Sequence, residues 1–87
     1  MNSLESSTAE KVWCDDNNLW VLLRDGRQMA IPLAYFPKLL HATAAQRTQY
    51  ELSGKGYGIH WDELDEDISV PGLLLGHADA TYLKKIA

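Results

Sequence analysis

Two turn signals set close together near the amino end do most to limit how this chain can fold. Asp25-Gly26 is the dipeptide that a two-residue type I′ hairpin turn demands, and it separates Leu19–Arg24 from Arg27–Ile31. Just upstream, Asp15-Asp16-Asn17-Asn18 favours a turn and tolerates positive φ, and it divides Lys11–Cys14 from Leu19–Leu23. These runs are rich in Val, Trp and Leu, and Pro32, which has no amide hydrogen to donate, ends the third. The expectation is an antiparallel β-meander over about residues 11–31. With Asp25 and Gly26 as the loop, Leu22 faces Met29 and Trp20 faces Ile31, while the four-residue first turn sets Trp13 opposite Trp20. One face then carries Trp13, Trp20, Leu22, Met29 and Ile31; the other carries Val12, Cys14, Leu19, Val21, Leu23 and Ala30. Both faces are apolar, so both need cover from later segments, a second copy or another protein.

The remainder reads as short helices and one or two further strands. Pro37 suits the first position of a helix running to about His41. Thr43-Ala44-Ala45-Gln46 matches a capping box, which predicts a helix to about Gln49. Tyr50–Leu52 and Tyr57–Trp61 read as strands around the glycine-rich Ser53-Gly54-Lys55-Gly56. Ser69 can cap a final short helix with Pro71 near its start, Leu73 to Leu75 as anchors and Gly76 just past its end. Residues 1–10 are polar and read as a flexible tail, and residues 77–87 as a loosely docked helix or tail. The fold class is therefore α+β, a single domain over residues 11–76.

Charge and composition narrow the function. Eight basic against twelve acidic residues give a net charge of -4, which disfavours direct nucleic acid binding or contact with anionic lipid and suits a protein partner with a basic surface. No apolar run is long enough to span a bilayer, and the polar start lacks the features of a secretory signal, so a cytoplasmic location is expected. One cysteine, Cys14, makes no internal disulfide, and no zinc-ligand spacing is present, so neither metal nor cofactor is expected. A domain of this size buries only roughly 60 to 65% of the surface of its unfolded chain, so a homodimer is one way to complete it.

The acidity is concentrated. Asp62-Glu63-Leu64-Asp65-Glu66-Asp67 holds five of the twelve carboxylates, and without them the net charge of -4 would become +1. Trp61, Leu64 and Ile68 recur at i, i+3 and i+7, so one reading is a helix with a docked apolar edge, and another is a solvated loop. The functional reading places Trp61, Asp62, Glu63, Asp65, Glu66 and Asp67 against a basic partner. A metal reading would add His60 to Asp62, Asp65 and Asp67, though without calcium-loop glycine or recognised spacing. Gly54-Lys55-Gly56-Tyr57-Gly58 could cradle a phosphate, but a loop shaped for tight turning explains the glycines better. Trp13, Trp20 and Trp61 read as core, as does Cys14.

The run Gly56-Tyr57-Gly58-Ile59-His60-Trp61, followed by Leu64-Asp65-Glu66-Asp67-Ile68-Ser69-Val70, resembles the hallmark of a bacterial family catalogued as domain of unknown function 2442. Asp25-Gly26-Arg27, Ile31-Pro32-Leu33, Phe36-Pro37-Lys38-Leu39, and Ala42-Thr43 with Gln46-Arg47 look like the rest of its pattern, in order, from Lys11 to Leu75. The chain departs from the pattern at Asp62, where members commonly carry proline. The resemblance implies a small α+β fold that usually stands alone, is sometimes joined to a helix-turn-helix domain, and is often suspected of belonging to toxin–antitoxin modules. It brings no activity, and with eleven residues after Gly76 no helix-turn-helix extension is expected. The function expected is a non-catalytic protein-interaction module, such as the neutralising component of a toxin–antitoxin-like pair. The alternatives are a small metal-dependent hydrolase and a phage or plasmid inhibitor acting as an acidic mimic.

Overall fold

A computed structural model describes residues 8–75. Of the tail expected at residues 1–10, residues 1–7 lie outside the described residues, as do the Gly76 cap and the helix or tail at 77–87. The fold is α+β, as expected, with two three-stranded antiparallel sheets. The first is the meander β1 (Ala9–Cys14), β2 (Asn18–Leu23) and β3 (Gln28–Pro32). After a 3-10 turn at Leu33–Tyr35 come two single-turn helices, α1 (Pro37–Leu40) and α2 (Ala44–Arg47). The second sheet is β4 (Glu51–Ser53), β5 (Gly58–Trp61) and β6 (Glu66–Ser69), with a 3-10 turn at Gly54–Gly56 between its first two strands. Helix α3 (Val70–Leu74) follows β6 directly.

The helix signals act through the expected atoms. Thr43 accepts from the Gln46 amide at 3.1 Å while the Gln46 side chain accepts from the Thr43 amide at 2.9 Å, closing the capping box at α2. Ser69 accepts from the Gly72 amide at the start of α3. Asp15 organises the first turn: its carboxylate accepts from the Asn17 and Asn18 amides and from Trp20 Nε1, all within 2.8 Å. Those bonds, the indole's first, hold the Asp15 carboxyl below its ordinary range.

The second turn corrects the predicted register by one residue. Leu23 N–H donates to Arg27 O and Gly26 N–H to Leu23 O, so the loop is Arg24-Asp25-Gly26, a three-residue turn with Gly26 at φ +94°. Val21 therefore pairs with Met29 and Leu19 with Ile31. A one-residue slip moves side chains to the other face. Met29 and Ile31 thus join Val12, Leu19, Val21 and Leu23 on the inner face, leaving Trp13, Trp20, Leu22 and Ala30 outside. Strand β1 also starts earlier than Lys11: a bulge at Glu10 turns the fully buried Ala9 inward opposite Leu23.

The inner faces share one core of Ala9, Val12, Leu19, Val21, Leu23, Leu33, Phe36, Leu39, Ile59, Trp61, Ile68, Val70 and Leu73. Only Trp61 of the three tryptophans is in it. Trp13 and Trp20 are half-buried on the outer face, stacked at 5.9 Å between centroids and 2° between planes, with the Lys11 ammonium 5.7 Å above Trp13.

Candidate functional site

The acidic segment is neither a helix nor wholly a loop. It is a hairpin in which Asp62 to Asp65 form the turn and Glu66 and Asp67 begin β6, with Trp61 paired to Glu66, His60 to Asp67 and Ile59 to Ile68. Two-residue alternation then divides the carboxylates between faces. Glu66 shares the inner face with Ile59, Trp61 and Ile68, and is only 6% exposed. Asp67 shares the outer face with His60, and beyond His60 the register adds Glu51 of β4.

The six residues expected to meet a partner are therefore not one surface. Trp61, at 0% exposure, is a core anchor whose Nε1 donates to Arg47 O at 3.1 Å and whose ring leans on Tyr50 at 6.3 Å. Glu66 is buried beside it. Asp62, Glu63, Asp65 and Asp67 remain exposed, and Glu51 joins them. Nothing in the local sequence pointed to Glu51, because only strand pairing brings it beside His60.

The turn is held from several sides. Asp65 N–H donates to Asp62 O at 3.2 Å, and Asp65 takes φ +51°, a conformation that aspartate accepts more readily than most residues. Lys38 Nζ donates to the Asp65 carbonyl at 2.8 Å, so the lysine grips the backbone rather than a carboxylate. Gln46 Nε2 donates to Glu63 Oε1 at 3.0 Å. Among the described residues none of these five exposed carboxylates forms an ion pair with lysine or arginine.

His60 lies between two of them, Asp62 and Asp67. Its Nδ1 lies 2.7 Å from Asp67 Oδ1 and its Nε2 3.4 Å from Asp62 Oδ1, while the Asp62 and Asp67 side chains stay 97% and 77% exposed. The hydrogen bond to Asp67, then that to Asp62, raises the imidazole pKa above its ordinary 6.5. The folded state therefore favours the imidazolium. Its contribution to stability is complete below about pH 6.5 and is lost as pH rises through the higher folded-state pKa. We expect NMR titration of the His60 ring to give a midpoint above the free value, lowered by Asp67→Asn; an unchanged midpoint in that variant would mean the bond is not made.

A metal centre has less support in this geometry, since both ring nitrogens of His60 are met by carboxylates. Among the described residues no three His, Cys, Asp or Glu side chains converge as metal ligands do. Cys14 is half-buried beside a cavity of about 250 Å³ lined also by Arg47 and Tyr50, and burial raises its thiol pKa, which leaves it a poor nucleophile. No described helix is long and apolar enough to cross a membrane.

Comparison with known proteins adds kinship without chemistry. A family model described as a protein of unknown function, DUF2442, matches residues 9–78. A crystal structure of a protein of unknown function from Rhodospirillum rubrum is similar at 35% identity and a TM-score of 0.73, over 84% of this chain and 90% of that one. A solution structure of an uncharacterised protein from Chromobacterium violaceum has the same TM-score, 0.73, at 23% identity, over 98% of this chain and 92% of that one, and shares the fold alone. No curated protein matches.

Proposed function

This chain belongs to the DUF2442 family, and from that premise we propose that it is a non-catalytic protein-interaction module that meets the basic surface of a protein partner through the β5–β6 hairpin. The observation that carries the reading is the set of exposed carboxylates, Asp62, Glu63, Asp65 and Asp67 with Glu51, held on a braced hairpin and paired with no lysine or arginine among the described residues. Like charges gathered this way repel one another in the free protein, and a cationic surface relieves that repulsion on contact. A fixed turn also loses little freedom on binding. Trp61 and Glu66 belong to this site as its foundation, beneath the contact surface. The finer reading, that the module neutralises the basic member of a toxin–antitoxin-like pair, rests on the family resemblance together with this acidic face.

The test is a quadruple amide variant, Asp62→Asn, Glu63→Gln, Asp65→Asn and Asp67→Asn, in which asparagine also suits the positive φ at position 65. We expect it to fold and to lose capture of the partner that the unmodified protein draws from its native host. Capture by the unmodified protein should itself weaken between about 0.1 M and 1 M salt, as the screening length falls from about 10 to about 3 Å. Capture that is indifferent to both changes would remove the basis for the reading.

A further inference from the structure

At the other end of β5 from the acidic turn, the charge reverses. Among the described residues, Thr8, Arg24, Lys55 and Tyr57 line a recess of about 310 Å³, and none of the four is a carboxylate. The loops that build it are fixed to one another. Arg24 N–H donates to the Thr8 carbonyl at 3.0 Å, and Arg24 Nη2 donates to the Lys55 carbonyl at 3.2 Å, across 31 positions of sequence. Gly56 lies so close to Ala9 that the 3-10 turn is pinned against β1.

Lys55 is the unusual residue. It has φ +59° and ψ +33° between Gly54 at φ +57° and Gly56 at φ +97°, a left-handed stretch in which glycine would sit without strain and lysine does not. Strained residues of this kind persist where the surroundings fix them, and they concentrate at binding sites. A guanidinium has five N–H donors, and Arg24 uses one in the bond to Lys55. Among the described residues the Lys55 ammonium has no partner, nor have the remaining donors of Arg24. Two cations thus share one recess in a chain of net charge -4, with no acid among the described residues of its lining to offset their repulsion.

We propose that this recess binds a phosphate monoester. Arg24 takes two oxygens of the dianion through its planar fork, Lys55 balances the second charge as a point cation, and the Tyr57 hydroxyl supplies a neutral donor at the wall. A carboxylate brings a single charge and leaves one cation unbalanced. The recognition is by side chains from two distant loops, and the glycines serve to shape the turn. This site is independent of the acidic hairpin, and neither stands or falls with the other.

The experiment is an amide NMR titration of the whole chain with inorganic phosphate at constant ionic strength, with acetate as the monoanion comparison. The resonances of Arg24 and of residues 54–57 should move and saturate, with a dissociation constant on the order of 1 mM or lower. Acetate, Lys55→Gly and Arg24→Gln should each weaken binding by about tenfold or more. Lys55→Gly places glycine where the backbone already favours it, so its fold survives and it decides the matter alone should Arg24→Gln unfold. O-phosphoserine and glycerol 3-phosphate, titrated in turn, distinguish a modified protein from a lipid headgroup as the source of the ester. Shifts that grow without saturating, that persist in Lys55→Gly, or that gather around Lys38 and Arg47 would overturn the proposal.

Discussion

Replacing Trp61 by alanine is expected to remove about 3–5 kcal/mol of folding free energy, the usual cost of truncating a large buried aromatic. Domains of ordinary size have only about 5–15 kcal/mol in total, and a chain this short belongs near the lower end, so the variant should keep no more than about 2 kcal/mol and sit close to its unfolding threshold. The reason is specific to this ring. Trp61 is completely enclosed, and its Nε1 donates to the carbonyl of Arg47. The Arg47 side chain in turn donates to the Leu39 and Leu40 carbonyls at 2.8 and 2.9 Å, closing the end of α1. One indole therefore joins the second sheet to both small helices. Trp61→Phe keeps most of the buried surface and loses the indole bond, whose net worth is about 1 kcal/mol, so it should retain a cooperative transition. Urea denaturation followed by circular dichroism measures both variants. A loss below about 1 kcal/mol for the alanine variant would mean that Trp61 is not the anchor described.

The second large effect is expected at Gly56. A Cβ there would stand 2.3 Å from the Ala9 carbonyl oxygen and 2.9 Å from its amide nitrogen, and both are backbone atoms of a paired strand that cannot swing aside. The position also has φ +97°, which side chains resist. Strain and collision together should cost about 2–4 kcal/mol in Gly56→Ala, comparable with a core truncation although only a methyl group is added. Gly26 provides the contrast within the same protein. Its φ is +94°, yet a Cβ would meet nothing within 4 Å, so Gly26→Ala should show only the conformational cost of about 1 kcal/mol. Comparing the two by thermal unfolding separates crowding from backbone preference. Equal losses would show that the approach of Gly56 to Ala9 contributes nothing.

The parts of the fold that were legible in the sequence are those specified by neighbouring residues. The Thr43 and Gln46 box, the Ser69 cap and the Asp15 turn each involve partners no more than five positions apart. The register of the meander was not legible, because Asp25-Gly26 serves a two-residue loop and a three-residue loop alike. The two-residue loop would put Ala30 on the inner face in place of Met29 and Ile31. Strand β6 was hidden for another reason. Glu66-Asp67-Ile68-Ser69 has little intrinsic strand preference, and Trp61, Leu64 and Ile68 fall by coincidence at helical spacing. Pairing with β5 overrides both signals and turns Glu66 toward the interior. The outer, half-buried placement of Trp13 and Trp20 is not legible either, because both faces of β2 are apolar, and only the later elements decide which one is covered. Of the candidate site, the carboxylates of the turn could be read from the chain itself. Glu51 beside His60, and Arg24 beside Lys55, come together only through tertiary structure.

Strand β5 has only four residues, about 10 Å from end to end, yet it places Lys55 and Arg24 near one end and the carboxylates of the turn at the other. Such a separation gives the molecule an electric moment along the strand. In the field of a charged neighbour it experiences a torque as well as a pull, and so arrives already oriented, with productive encounters a larger share of all collisions.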